Sequence, residues 1–132
     1  MAIVLSSCIG ILSTLAQQPS KKVFKAPASA DDNKNPVAAD AASLAEGKKI
    51  YVTYCVACHG DKGKGDGVAA AGLQKPPADH TSAAIQAQTD GAIFWKITYG
   101  NNPMPAYEKM LTPTQRWQLV NYIRTLAKKG KK

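Results

Sequence analysis

The sequence predicts an all-α domain in which a first and a last helix bracket several shorter ones. Leu44, Gly47, Ile50, Tyr51 and Tyr54 recur at helical spacing. A second apolar series, Leu119, Val120, Ile123, Leu126 and Ala127, follows a complete helix-start signal at Thr112–Gln115. Between them the chain is punctuated by glycine and proline, and no β-rich alternating run appears. A length of 132 residues leaves room for one such domain.

Taken in order, the chain opens on a nearly uncharged apolar run, Ala2–Ala16. It is too short for a comfortable membrane span of about 20 residues, but suits the hydrophobic core of a signal peptide. Leu5-Ser6-Ser7-Cys8 resembles the lipobox of bacterial lipoproteins, which makes Cys8 the expected lipidation site. Ordinary cleavage after Ala16 and an uncleaved short anchor are the competing readings of residues 1–16. Residues 17–40 contain Pro19, Pro27 and Pro36 among small and polar residues, with only Val23, Phe24 and Val37 large and apolar. So little apolar surface does not offset ordering entropy, and a flexible linker is expected, spanning roughly 25–30 Å. The folded domain is expected over 41–132.

The first helix leads directly into Cys55-Val56-Ala57-Cys58-His59. C-x-x-C-H is the attachment signature of c-type haem. Cys55 and Cys58 bond to the porphyrin edge, and His59 supplies an axial ligand. A zinc site would need four N/S ligands, and a thioredoxin-like pair would need a surrounding βαβ pattern. Neither context is present, since only Cys8 and His80 remain as further Cys and His residues. Gly47, mid-helix, costs about 1 kcal/mol relative to Ala and implies the close approach of another helix.

Gly60–Gly72 carries five glycines and reads as a tight loop around one haem edge. It is not a phosphate-binding P-loop, because Asp66 stands where Lys is required. Pro76-Pro77 forms a rigid corner, and Pro77 is the candidate to offer a carbonyl to the His59 Nδ1 proton. His80 reads as a surface loop histidine, with bis-histidine ligation as its alternative. A short helix is expected within Thr81–Gln88. Another, capped by Thr89 or Asp90, is expected to run to Tyr99 and stop at Gly100. On it, Trp95 is read as core, with an indole N–H that could serve a buried haem propionate.

Met104 lies between Pro103 and Pro105, in a segment that neither a helix nor a central strand accommodates. It is therefore the predicted second axial ligand. Met110, just before the last helix, reads as a core or staple residue. Thr112 at N-cap, Pro113 at N1 and Gln115 at N3 announce that helix.

The net charge is +8, from 17 basic and 9 acidic residues, and most of the excess lies after Asp40. A basic domain is steered toward anionic partners. No basic helix with interleaved aromatics is present, so nucleic acid is not the expected partner.

In the order helix, C-x-x-C-H, glycine-rich loop, short helices, Met loop and last helix, residues 41–129 resemble a monohaem class I cytochrome c. That resemblance implies N- and C-terminal helices packed across the covalently bound haem, with Gly47 and Tyr51 meeting Leu119 and Tyr122. Asp90–Gly100 with Met104–Tyr107 further resembles the monohaem cytochrome c subunit of alternative complex III, a bacterial quinol-oxidising membrane assembly. The resemblance implies an electron carrier rather than an enzyme in its own right, with a free-standing lipoprotein cytochrome c as the alternative to a complex subunit. It also implies redox partners, namely other subunits of a membrane complex and a terminal oxidase. The location implied is the periplasmic side of the bacterial cytoplasmic membrane, with a lipid anchor. His/Met ligation fills both axial positions and leaves no site for substrate, while an enzyme or gas-binding protein would need a labile sixth position.

Overall fold

The computed structural model describes residues 24–127. The proposed lipidation site Cys8, the apolar run and the lysine-rich C-terminus lie outside the described residues. Among the described residues no helix is long and apolar enough to cross a membrane. Over the described residues the architecture is all helical: α1 (Ala41–Tyr54), α2 (Val56–His59), α3 (Ala83–Gln86), α4 (Asp90–Tyr99) and α5 (Pro113–Thr125). Two short 3-10 helices, Ala28–Asp32 and Ala70–Gly72, complete it.

Helix α1 starts because the Asp40 carboxylate accepts from the Ser43 amide, satisfying one of the orphan donors of a helix N-terminus. Helix α5 starts on the full reciprocal capping box of Thr112 and Gln115, with Pro113 in the first turn. Helices α3 and α4 are capped by Ser82 and Thr89 respectively. The expected short helix within Thr81–Gln88 is thus a single turn.

The core is the crossing of α1 and α5. Gly47 lies against the α5 backbone, where a Cβ would press into the Gln118 carbonyl oxygen and come within 2.9 Å of the Tyr122 Cβ. Tyr51 and Val120 are fully buried, Leu119 is 1% exposed, and the Tyr51 and Tyr122 rings are 5.2 Å apart. The pairing of Gly47 and Tyr51 with Leu119 and Tyr122 is present. Helix α4 packs beside α5, with Phe94 stacked on Trp117 at 3.9 Å between ring centres. Arg116 is buried there, donating to Thr98 Oγ1 and lying over the Phe94 ring.

The structure corrects the expected flexible linker over residues 24–40. This stretch is a strap across α4 and α5. Ala30 is buried against Gly91, where any side chain would collide with the Ala30 carbonyl oxygen. The Asn121 amide donates to the Val37 and Ala38 carbonyls and to Ser43 Oγ, while its oxygen accepts from Asn35 Nδ2 at 2.7 Å. Thr89 Oγ1 donates to Asp31. The ring of Phe24 lies 6.0 Å from that of Trp95. Polar pairing to a buried amide therefore supplies what the segment lacks in apolar area.

Candidate haem-binding site

The C-x-x-C-H sequence sits where α1 ends. The Cys55 amide still donates to the Tyr51 carbonyl, and α2 then turns so that the His59 amide donates to the Cys55 carbonyl. One helical turn thus gathers the two thiols and the imidazole. Cys55 is buried and Cys58 half-buried, and neither is in a disulfide. Burial, then the neighbouring Cys58, pushes the Cys55 thiol up to about 12. Disulfide exchange needs a readily formed thiolate, so this is not the environment of a thioredoxin-like pair. Among the described residues no three His, Cys, Asp or Glu side chains gather as a metal-holding group. A closed zinc site has no completing ligands there.

His59 is buried, and its Nδ1 lies 3.0 Å from the Ala78 carbonyl oxygen. A carbonyl only accepts, so Nδ1 carries the proton and Nε2 carries the lone pair. Burial lowers the basicity of the ring while the Ala78 bond opposes it, favouring the neutral imidazole that a metal requires. The acceptor corrects the expectation for Pro77, whose carbonyl oxygen instead borders Gly65, 2.6 Å from where a Cβ there would stand. The rigid Pro76-Pro77 corner delivers the next carbonyl along. Gly65, at φ +76°, donates its amide to the His59 carbonyl, so the glycine-rich loop closes over the same residue.

His80 is not a surface histidine. It is half-buried, and its ring is stacked on that of His59 at 4.0 Å with 18° between planes. Two imidazoles in face-to-face contact leave no room for a porphyrin between them, which removes the bis-histidine alternative. Burial, then the adjacent His59, pushes His80 down to about 3 against the opposing effect of Asp79. Its Nδ1 lies 3.1 Å from the Tyr51 hydroxyl.

Met104 occupies a tight reversal in which Asn101 and Met104 exchange both backbone hydrogen bonds at 3.0 Å. The Asn102–Pro103 peptide is cis. Met104 is half-buried and packs against the core cluster that also contains Cys55 and Tyr107. Met110 is 53% exposed, not the core residue expected. The loop after Met104 is braced on both sides: the Tyr107 amide donates to the Ile97 carbonyl, and its hydroxyl donates to the Tyr54 carbonyl at 3.1 Å. The site reading of Trp95 as a propionate partner receives no such support. Its rings of contact are Phe24 and Tyr99, in the recess between the strap and α4.

The donor set therefore fits a covalently held haem: two thiols on one turn, an imidazole with its lone pair on Nε2, and a thioether on a braced loop. Sequence reasoning missed Ala78, Tyr107 and the stacking of His80. The Pro-Pro corner pointed to the neighbourhood of Ala78, but nothing local marks the other two.

Comparison with known proteins places the chain among c-type cytochromes. The protein family described as cytochrome C oxidase, cbb3-type, subunit III matches residues 42–123. Cytochrome c6 of Thermosynechococcus vestitus is 34% identical over 93 residues, covering 70% of this chain and 79% of that protein. The cbb3-type cytochrome c oxidase subunit FixP of Bradyrhizobium diazoefficiens is 34% identical over 85 residues, or 62% of this chain and 27% of the subunit. A chain of the reducing HAO-like protein complex of Kuenenia stuttgartiensis superposes with a TM-score of 0.65 at 30% identity. That match covers 70% of this chain, which spans 47% of the other's length. The KustC0563 c-type cytochrome superposes with a TM-score of 0.54 at 30% identity, over 62% of this chain and 98% of its own.

Proposed function

The chain belongs to the cytochrome c family and transfers electrons through one haem c bound by Cys55 and Cys58, and we propose that it does so with His59 and Met104 as axial ligands, as a tethered subunit of a respiratory complex. The observation that carries the ligand assignment is the His59 Nδ1 bond to Ala78, which leaves Nε2 as the metal-binding nitrogen. Met104, on its braced reversal beside the same core, is the matching sulfur.

When bound, the haem supplies a one-electron couple whose potential is raised by His/Met ligation. What the chain itself does is hold and shield. Ala78 fixes the His59 tautomer. Tyr107 and the Asn101 pairing hold the Met104 loop in place, and the α1–α5 crossing keeps water from the core. With both ligand positions taken there is no open position for a substrate, so the chain is a carrier and not an enzyme in its own right.

The finer placement rests on three supports. Residues Asp90–Gly100 and Met104–Tyr107 resemble the monohaem subunit of alternative complex III. Relatives include the oxidase subunit FixP, and a structural neighbour is part of a multi-protein redox complex. The Leu5–Cys8 lipobox-like run would anchor the chain by lipid at Cys8, on the periplasmic side of a bacterial cytoplasmic membrane. Its partners would then be the other subunits of a quinol-oxidising assembly and a terminal oxidase. Purification from native membranes tests this: the haem-staining band should travel with other redox subunits and carry lipid on Cys8. A lone, unlipidated cytochrome beginning at Gln17 would overturn it.

A further inference from the structure

We infer that His80 is a positioning residue that sets the rotation of the His59 ring. The inference rests on the reading of His59 as axial ligand and goes beyond it. The Ala78 carbonyl fixes one point of the His59 imidazole, Nδ1, at 3.0 Å. A single hydrogen bond still allows the ring plane to turn about the line from that bond to the opposite nitrogen. The His80 ring, 4.0 Å away and within 18° of parallel, covers one face and removes that freedom. Flat stacking over a flat ring resists rotation in a way that a round aliphatic side chain does not.

His80 is itself held from several sides. Its amide donates to the Gly63 carbonyl at 2.6 Å, and its carbonyl accepts from Gln86 Nε2 at 2.7 Å. The Tyr51 hydroxyl lies 3.1 Å from its Nδ1, and Tyr51 is fully buried in the α1–α5 crossing. Gly63 makes room for it, because a Cβ there would stand 3.2 Å from the His80 Cβ. A continuous chain therefore runs from the packed helix crossing through Tyr51 and His80 to His59. Outer partners of this kind orient metal-ligating imidazoles and tune the metal. Rotation of an axial imidazole over a haem redistributes the unpaired spin of the oxidised iron among the ring positions. The orientation is therefore readable without any assay of turnover.

The test is electron paramagnetic resonance and proton NMR on the oxidised, haem-loaded full chain. The native protein comes first. A native spectrum that is not low-spin His/Met shows the axial assignment itself to be wrong, and the inference falls with it. Given that native spectrum, His80→Leu should keep the low-spin iron but change the g-values and the order of the haem methyl shifts. His80→Phe, which retains a flat ring, should move both much less. Tyr51→Phe, which removes only the hydroxyl, should shift them in the same direction as His80→Leu and by less. Native g-values and methyl shifts in haem-loaded His80→Leu and Tyr51→Phe would overturn the inference, because a space-filling role would lower stability and leave both unmoved. Should His80→Leu fail to fold, the pseudocontact shifts of the His80 ring protons in the native protein decide, and a ring located off the face of His59 overturns it.

Discussion

The Tyr107 hydroxyl donates to the Tyr54 carbonyl at 3.1 Å, which ties the loop carrying Met104 to the residue immediately before Cys55. The loop of the proposed sulfur ligand and the C-x-x-C-H turn, far apart in the chain, are thereby fastened at one point. Tyr107 is 5% exposed while Tyr54 is 40% exposed, so the bond runs from the core to the edge of the domain.

Tyr107→Phe should therefore cost about 0.5–1.5 kcal/mol, the net contribution of one hydrogen bond whose acceptor can turn to water when the hydroxyl is removed. Burial above all holds the Tyr107 hydroxyl above its ordinary value of 10. Its folded form keeps the proton longer than its unfolded form, so its stabilisation is complete below the ordinary value and lost as pH rises through the folded one. Denaturant melts should show native and Tyr107→Phe stabilities converging as pH is raised from neutrality through that window. A constant gap would show that Tyr107 does not titrate with unfolding.

Gly47→Ala sets two effects against each other. Alanine gains about 1 kcal/mol of helix propensity over glycine. The added methyl, however, presses into the Gln118 carbonyl oxygen on α5, and relieving it requires moving one backbone against another. Overpacking of this kind costs about 1–3 kcal/mol or more. A net loss of stability is expected in thermal melts, and an unchanged or raised Tm would mean that the crossing is looser than the structure has it.

The strap makes Asn121 a stability residue. Asn121→Leu removes a buried amide that contacts Asn35, Val37, Ala38 and Ser43. Amide exchange over 24–40 and cleavage after Lys34 should both accelerate in this variant, while α1 and α5 keep their protection. Removal of residues 1–40 should likewise destabilise the domain more than removal of 1–23. Equal stability of the two truncated chains would show the strap to be incidental.

Lys62, Lys64, Lys75 and Lys109 are all exposed on a chain of net charge +8. At 0.1 M salt the screening length is about 10 Å, and at 1 M about 3 Å. Electron exchange between the untethered domain and an anionic redox partner should therefore slow steeply as salt rises across that range. Stopped-flow rates that stay flat would point to apolar docking instead.

Much of this was legible in the sequence because it is written locally. Thr112, Pro113 and Gln115 announce α5 within four positions, and Cys55, Cys58 and His59 announce the haem site within five. The Gly47 crossing was legible as well, since a mid-helix glycine calls for a close neighbour. What was not legible depends on partners far apart in the chain. The strap is held by Asn121, 86 residues from Asn35, and an asparagine in an amphipathic helix carries no sign of such a role. The choice of Ala78 over Pro77 turns on which carbonyl a corner presents, a matter of a single peptide plane. His80 is a lone histidine in a loop, and only its neighbours make it a stacked ring.

The ligation of the iron by Met104 is the central claim, and the oxidised absorption spectrum of two variants tests it most directly. Met104 is half-buried against the core on a braced reversal, while Met110 is 53% exposed. Met104→Ala should abolish the sulfur-to-iron charge-transfer band and lower the reduction potential, and Met110→Ala should leave both in place. Loss of the band in Met110→Ala with its retention in Met104→Ala would contradict the assignment.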